Sequence, residues 1–444
     1  MRDAVRHLRD RLSAPVDVAS LAAFRVLFGL VMAAGVLRFV AKGWVGLFFV
    51  QPVTHFTYPG LSFVKPWPGV LMHAHYACLF VLALGIAAGF CYRFCAVGFL
   101  LGFTYVELLD RSLYLNHYYL VSLLAALLCV LPAGRAFSLD VWRRPERALS
   151  TLPAYALAAL RFQVAVVYLY AGVAKLNHDW LIEAQPLRIW LGTAGAWPIV
   201  GPWLATREAA LAASWLGALF DLGIVWLLLA RRTRTLGIVL VLGFHAVTGL
   251  LFPIGVFPWL MSAAATLLLP PGWPRQAFGW LASRISSPRR EERGADGPWR
   301  APVWLGPVLA VHCAVQALLP LRGHLAASNS AWTLDGFNFA WNVMVAEKAG
   351  SVSFRAEDRR SGRTVRVEPE TLLEPFQVRA MAQDPELVRD AALKVADRLR
   401  REGRDVAVYA DAVASLNGRP AQPLVDPTVD LTGPLPKRWI VPLE

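Results

Sequence analysis

Residues 154–180 read AYALAALRFQVAVVYLYAGVAKLNHDW. A helix needs about 20 apolar residues to cross the hydrocarbon core of a bilayer, and Ala154 to Ala174 supplies such a run with Arg161 as its one charge. Polarity returns at Lys175, Asn177, His178 and Asp179. A spanning run that ends on an ionisable residue is the pattern of a membrane helix with something to do at its mouth.

Similar runs fall at about 18–40, 70–90, 94–109, 117–132, 208–230, 235–251, 254–270 and 302–321. The chain therefore reads as a polytopic α-helical membrane protein with about nine transmembrane helices. The runs at 94–109, 117–132, 235–251 and 254–270 are short for straight spans, and one of them is a candidate re-entrant segment. Composition agrees. Of 444 residues 56% are hydrophobic and only 17% charged, against about 25% charged in soluble domains. Several of the 17 tryptophans sit near span ends, where interfacial rings collect. The net charge of +13 has a topological explanation, because cytoplasmic loops gather Lys and Arg. No basic stripe interleaved with aromatics points to nucleic acid. No cleavage site follows the basic start at Arg2, Arg6, Arg9 and Arg11, so the first run is read as a retained span.

With a cytoplasmic N-terminus and alternating spans, the inner segments hold clusters such as Arg135, Arg143, Arg144 and Arg147, and Arg231, Arg232 and Arg234. The outer loops hold few basic residues, which is the positive-inside pattern. An odd number of spans places the tail outside. The division expected is a transmembrane catalytic domain at 1–321 and a small extracytoplasmic α+β, β-rich domain at 322–444, packed on the outer membrane face. In the tail, Ser351 to Phe354 and Thr364 to Val367 flank a turn at Arg359-Arg360-Ser361-Gly362 and predict a hairpin. Leu387, Ala391, Val395 and Leu399 repeat at helical spacing and stop before Gly403. Residues 405–416 alternate as a strand ending at Asn417-Gly418. Segment 284–300 reads as a solvated inner loop.

Four segments near the outer side carry candidate chemistry. Asn116 and His117 stand where the fourth span begins, either as a polar cap or as functional groups facing an apolar run. Lys175 ends the fifth span. A lysine there either snorkels to the interface or, packed beside small Ala171 and Gly172, is buried enough to act as a base. Tyr168 lies on the same span. His245, with Phe252 beyond it, is either a satisfied core histidine or a ligand group. Arg322, His324, Trp332, Phe339 and Trp341 follow the last span, as an aromatic belt or the wall of a flat apolar ligand. The five cysteines (Cys78, Cys91, Cys95, Cys129, Cys313) lie in or beside apolar runs and read as packing residues. GxSxG, HExxH, P-loop and CxxCH motifs are all missing. Convergent Lys, His, Asn and aromatics at one membrane face suggest a base acting beside a lipid-soluble ligand.

At these residues the sequence resembles the vitamin K-dependent γ-glutamyl carboxylases. The likeness runs through residues 20–29 (SLAAFRVLFG), Leu108-Leu109-Asp110 with Asn116-His117, and Leu160-Arg161 with Gln163. It continues at Ala171-Gly172-Val173 with Lys175-Leu176 and Asp179-Trp180, at Phe244-His245 with Phe252 and Ile254-Gly255, and at Trp332-Thr333 with Trp341 and Met344-Val345. In the tail it takes in Tyr409, Asp411, Ser415, Asn417, Arg419, Asp426-Pro427 and Val429-Asp430. The motifs are colinear over about 18–435.

The resemblance implies a membrane enzyme that uses vitamin K hydroquinone (or menaquinol), O₂ and CO₂, with no metal. It would convert glutamate in a protein or peptide to γ-carboxyglutamate and release the quinone epoxide. It implies that Lys175 is the weak base that deprotonates the hydroquinone, with His117 assisting and Asn116 beside it. Tyr168, His245, Phe252, Arg322, His324, Trp332, Phe339 and Trp341 are then expected around the cofactor. Expected partners are membrane lipid and quinone and a glutamate-containing substrate, not nucleic acid. The expected location is the plasma membrane of a prokaryote or the endoplasmic reticulum of a eukaryote.

The chain departs from the animal enzymes at Ala174, where they carry a second lysine, and at Phe339, where they carry Tyr. It also ends soon after the first part of the outer domain, so the resemblance does not carry propeptide recognition to it. Two other readings stand beside this one. The strong base could serve a different substrate in a quinol epoxidase or oxygenase without carboxylation. A non-enzymatic transporter or assembly factor would predict charged pairs in mid-span, of which the sequence shows few.

Overall fold

A computed structural model describes residues 2–277, 279, 299, 301–325 and 329–444. Each apolar run forms a helix. After the short amphipathic α1 (Arg2–Ser13) come α2 (Ala19–Ala41), α3 (Val70–Ala88), α4 (Tyr92–Glu107), α5 (Asn116–Val130) and α6 (Ala154–Ala174). They are followed by α7 (Arg207–Leu229), α8 (Arg234–Leu251), α9 (Phe257–Ala265) and α10 (Leu305–Leu318). Among the described residues five helices, α2, α3, α6, α7 and α8, are long and apolar enough to cross a membrane, and α5, α9 and α10 are shorter apolar helices. Side chains facing away from the bundle include exposed Leu216, Leu219, Trp226, Val239 and Leu250. An apolar outer surface on that scale suits lipid rather than water. The predicted inner loop at 284–300 lies outside the described residues apart from Trp299.

Local sequence sets the helix ends that matter for the site. Thr206 caps α7 by accepting a hydrogen bond from the amide of Ala209. Asn177 starts a separate short helix, His178–Leu181, accepting from the Trp180 amide at 3.0 Å, so α6 stops at Ala174 and Lys175 becomes its cap. Pro253 holds Phe252 in an extended conformation and ends α8. Gly255, at φ +65°, then turns the chain into α9. At the far end of α6, the Arg161 guanidinium donates 2.7 Å bonds to the carbonyls of Leu267 and Leu269. Arg25 on α2 likewise donates to Ile86 and Phe137 carbonyls. Both arginines supply donors to carbonyls near the ends of neighbouring elements.

Residues beyond 347 form an α+β unit, as the alternation there predicts. A four-stranded antiparallel sheet runs in the order β4 (Thr364–Val367), β3 (Lys348–Asp358), β5 (Val406–Leu416), β6 (Gln422–Pro423). Helices α11 (Pro375–Met381) and α12 (Pro385–Arg401) accompany it, and α12 packs on β5. The hairpin register pairs Phe354 with Val367, and Gly362 takes φ +66° in the turn. The core of this unit includes Phe354, Val388, Val408 and Trp332, together with Phe56 from the loop before α3.

This unit is docked on the loops at the Lys175 end of the bundle. Gln377 donates to the Asp110 carboxylate at 2.9 Å and Lys394 to the His55 carbonyl at 3.0 Å. Arg111 pairs with Asp390. On the other side Arg419 donates two bonds, 2.6 and 2.7 Å, to Asp179, and Asn417 donates a third at 2.9 Å. Those bonds hold the Asp179 carboxyl below the usual aspartate range, the Arg419 guanidinium being the main cause.

Candidate active site

Lys175 is 5% exposed. The small residue at Gly172 explains why. A Cβ added there would lie 2.7 Å from Leu222 Cγ and 3.0 Å from its backbone nitrogen, so α6 and α7 touch at this point. The close approach sets Lys175 Nζ 2.8 Å from Asp221 Oδ2. Nζ also donates to the carbonyls of Val343 at 3.1 Å and Ala171 at 3.2 Å, and sits 5.1 Å from the centre of the Trp180 ring. Three oxygens match the three protons of an ammonium. The lysine is therefore a paired cation rather than an amine facing lipid alone.

The pair opens on a cavity of about 230 Å³ walled mainly by hydrocarbon, including Phe244, Phe252, Phe257 and Met261. His245, 3% exposed on α8, reaches the same cavity. Its Nε2 is 2.9 Å from the Tyr168 hydroxyl, while its Nδ1 is buried with no partner among the described residues. A buried nitrogen without a partner is costly unless something meets it. An apolar cavity with one paired cation, one carboxylate and one unmatched imidazole nitrogen fits a flat, lipid-soluble ligand carrying oxygen substituents.

A second cavity, about 290 Å³, holds Asn116, His117 and Arg38. It shares Ile254, Phe257, Val343 and Met344 with the first, so these four residues form a common wall. The Phe257 ring lies 5.8 Å from His117 and 6.2 Å from His245. Asn116 accepts from Tyr114 at 2.8 Å and donates to the Asn342 carbonyl at 3.1 Å, which ties the start of α5 to the wall segment. That segment is strained: Phe339, Trp341 and Met344 all take positive φ, at 60°, 58° and 55°. Non-glycine residues in this region cost about 1–3 kcal/mol each and persist where packing dictates them.

The structure gathers some of the expected residues and separates others. Lys175, Tyr168, His245 and Phe252 line one cavity, and Asn116 and His117 line its neighbour. Phe339 packs against Tyr114 and Tyr119, with Arg322 over its ring, and Trp341 stacks on Tyr119 at 5.2 Å, so these three brace the wall segment from behind. Trp332 lines neither cavity. It is in the core of the C-terminal unit, donating to the Val441 carbonyl at 2.7 Å. The His324 side chain lies outside the described residues. Sequence reasoning missed Asp221 and Arg38. For Asp221 the signal was present, since an acid inside the run at 208–230 needs a partner.

A polytopic helical bundle with an ion pair buried at one end, beneath a docked α+β unit, defines the class: a membrane protein with an apolar cavity beside that pair. Residues 13–273 match the HTTM domain, and residues 302–444 match the lumenal domain of vitamin K-dependent gamma-carboxylase. The chain belongs to the vitamin K-dependent gamma-carboxylase family. No solved structure matches it.

Proposed function

We propose that the protein carboxylates glutamate. With a reduced vitamin K-type quinone, O₂ and CO₂, it converts glutamate in a protein or peptide to γ-carboxyglutamate and forms the quinone epoxide. The observation that carries this reading is the Lys175–Asp221 pair buried against an apolar cavity in a chain of this family.

A reduced quinone, when bound with O₂, supplies the strong base that no side chain here can be. The protein's own residues do the rest. The apolar walls keep water from quenching such a base. Tyr168 fixes the ring of His245 through Nε2, leaving Nδ1 to face a ligand oxygen. Lys175 takes a proton from the ligand hydroxyl only after passing one to Asp221 Oδ2, 2.8 Å away, so the two act as one proton-handling unit. His117 serves from the adjoining cavity, and Asn116 positions it through Tyr114 and Asn342.

In the same reading all nine apolar helices span the membrane, with the N-terminus cytoplasmic. Residues 1–321 form the catalytic membrane domain and residues 322–444 an extracytoplasmic domain. The asymmetry of Lys and Arg between inner and outer segments supports that orientation. The membrane is then the plasma membrane of a prokaryote or the endoplasmic reticulum of a eukaryote.

The test incubates purified protein with vitamin K hydroquinone, labelled CO₂ and a glutamyl peptide. Label in the peptide together with epoxide is the expected result. Epoxide without label moves the base to another substrate, and neither product sinks the enzymatic reading.

A further inference from the structure

Arg38 is a cation without a counter-ion in the second cavity. It stands near the end of α2, half-buried, with its guanidinium 4.9 Å from the centre of the Trp44 ring. Among the described residues no hydrogen bond or ion pair takes up its donors. Its neighbours in the bundle are treated differently: Arg25 and Arg161 each reach two carbonyls, and Lys175 has three oxygens. A guanidinium fork lying over an aromatic ring with its donors untaken suits a planar, bidentate anion.

Its place is as informative as its charge. A Cβ added at Gly255 would meet Arg38 Nη1 at 3.4 Å and His117 Nε2 at 3.9 Å. The bare glycine thus leaves one small spot that both groups address. That spot lies in the cavity whose far wall, Ile254, Phe257, Val343 and Met344, is also a wall of the Lys175 cavity. Glu107 shares a third cavity with Arg38 but forms no ion pair with it.

We infer that Arg38 is the carboxylate anchor for the acceptor glutamate. Its fork binds the γ-carboxylate beside His117 and turns the adjacent CH₂ toward the common wall. The two substrates then approach each other across the boundary that Ile254, Phe257, Val343 and Met344 form: the lipid-soluble one from the side of Lys175 and His245, the charged one from the side of Arg38 and His117. This rests on the carboxylase reading above, and its test separates the two.

Binding is measured first, on quinone-free protein, by calorimetry with a glutamyl peptide and its glutaminyl counterpart. Wild type is expected to prefer the glutamyl peptide at least tenfold, and Arg38→Gln to lose that preference. Arg38→Lys, which keeps charge without the fork, recovers part of it. In turnover, Arg38→Gln raises the peptide KM at least tenfold and leaves the quinol KM within twofold. Unchanged thermal melting of the variant excludes misfolding. Retained preference in Arg38→Gln, or equal binding of both peptides by wild type, overturns the anchor. Carboxylation by wild type with an unchanged peptide KM in Arg38→Gln removes the anchor and leaves the carboxylase reading standing. Absence of both products from wild type removes the carboxylase reading itself.

Discussion

Lys175 and Asp179 are separated by one turn of chain, and each is half of an ion pair, yet the pairs sit in opposite surroundings. Lys175 and Asp221 are 6% and 8% exposed at their side chains, inside the bundle. Arg419 and Asp179 are 36% and 18% exposed, where the C-terminal unit meets the bundle. A buried pair is poor evidence for stability, because desolvation offsets much of the attraction. It does place an amine and a carboxylate 2.8 Å apart inside the bundle. The partly exposed pair does another job: its two directed bonds, with a third to Asp179 from Asn417, fix one surface on another. The lesson is that one short stretch, Lys175 to Asp179, supplies both the buried pair on which the proposed chemistry rests and the latch that fixes the C-terminal unit over it.

Removing the amine gives the largest effect. Lys175→Ala abolishes epoxide and carboxylated product together, a loss of about 10²–10⁴-fold or more in turnover as for other acid–base residues. Normal activity in that variant would erase the contrast between the two pairs. Asp221→Asn comes next. It keeps the shape but removes the carboxylate that receives the proton, so kcat is expected to fall about 100-fold with the quinol KM nearly unchanged. Because the cation is then buried without its partner, the melting temperature also drops. A variant with full kcat and lowered stability would make this pair structural, like the other.

Much of this was legible in the sequence. The nine apolar runs became helices because hydropathy over some twenty residues is a large summed signal. The hairpin around Gly362 and helix α12 were legible because turn chemistry and helical spacing are local. The contact at Gly172 followed from residue size alone. Asp221 left a signal, an acid inside a span, but one acid barely lowers the hydropathy of the run holding it, and its pairing was hidden because the partner stands on another helix. Arg38 reads like a positive residue near a span end, and nothing local shows that its fork lacks a partner. Trp332 and Trp341 look like one aromatic belt in sequence, but one packs under the sheet and the other behind the wall segment. Which core a tryptophan joins depends on the path of the chain between them.

The latch gives the smaller predictions. Asp179→Asn leaves Arg419 one weaker acceptor and is expected to cost about 1–2 kcal/mol of docking, since solvent reaches Arg419. Hydrogen exchange or limited proteolysis of residues 347–444 would rise while the bundle stays intact. Acid does the same without mutation. The Asp179 carboxyl is held below the ordinary 3.8, so its contribution is fully present above that value. It fades as pH falls below about 4 and is gone once pH passes the depressed native value. Asp179→Asn should remove that part of the acid dependence.

Tyr168→Phe is the mildest change and bears on the buried side. It removes the hydroxyl 2.9 Å from His245 Nε2 and leaves both ring nitrogens unmatched. The cost is about 1 kcal/mol in stability. The ring, no longer held, is expected to bind quinol a fewfold more weakly, while the docking of the C-terminal unit is untouched. An unchanged quinol KM would mean that His245 packs in the cavity without meeting the ligand, and the polar side of the chamber would then reduce to Lys175 and Asp221 alone.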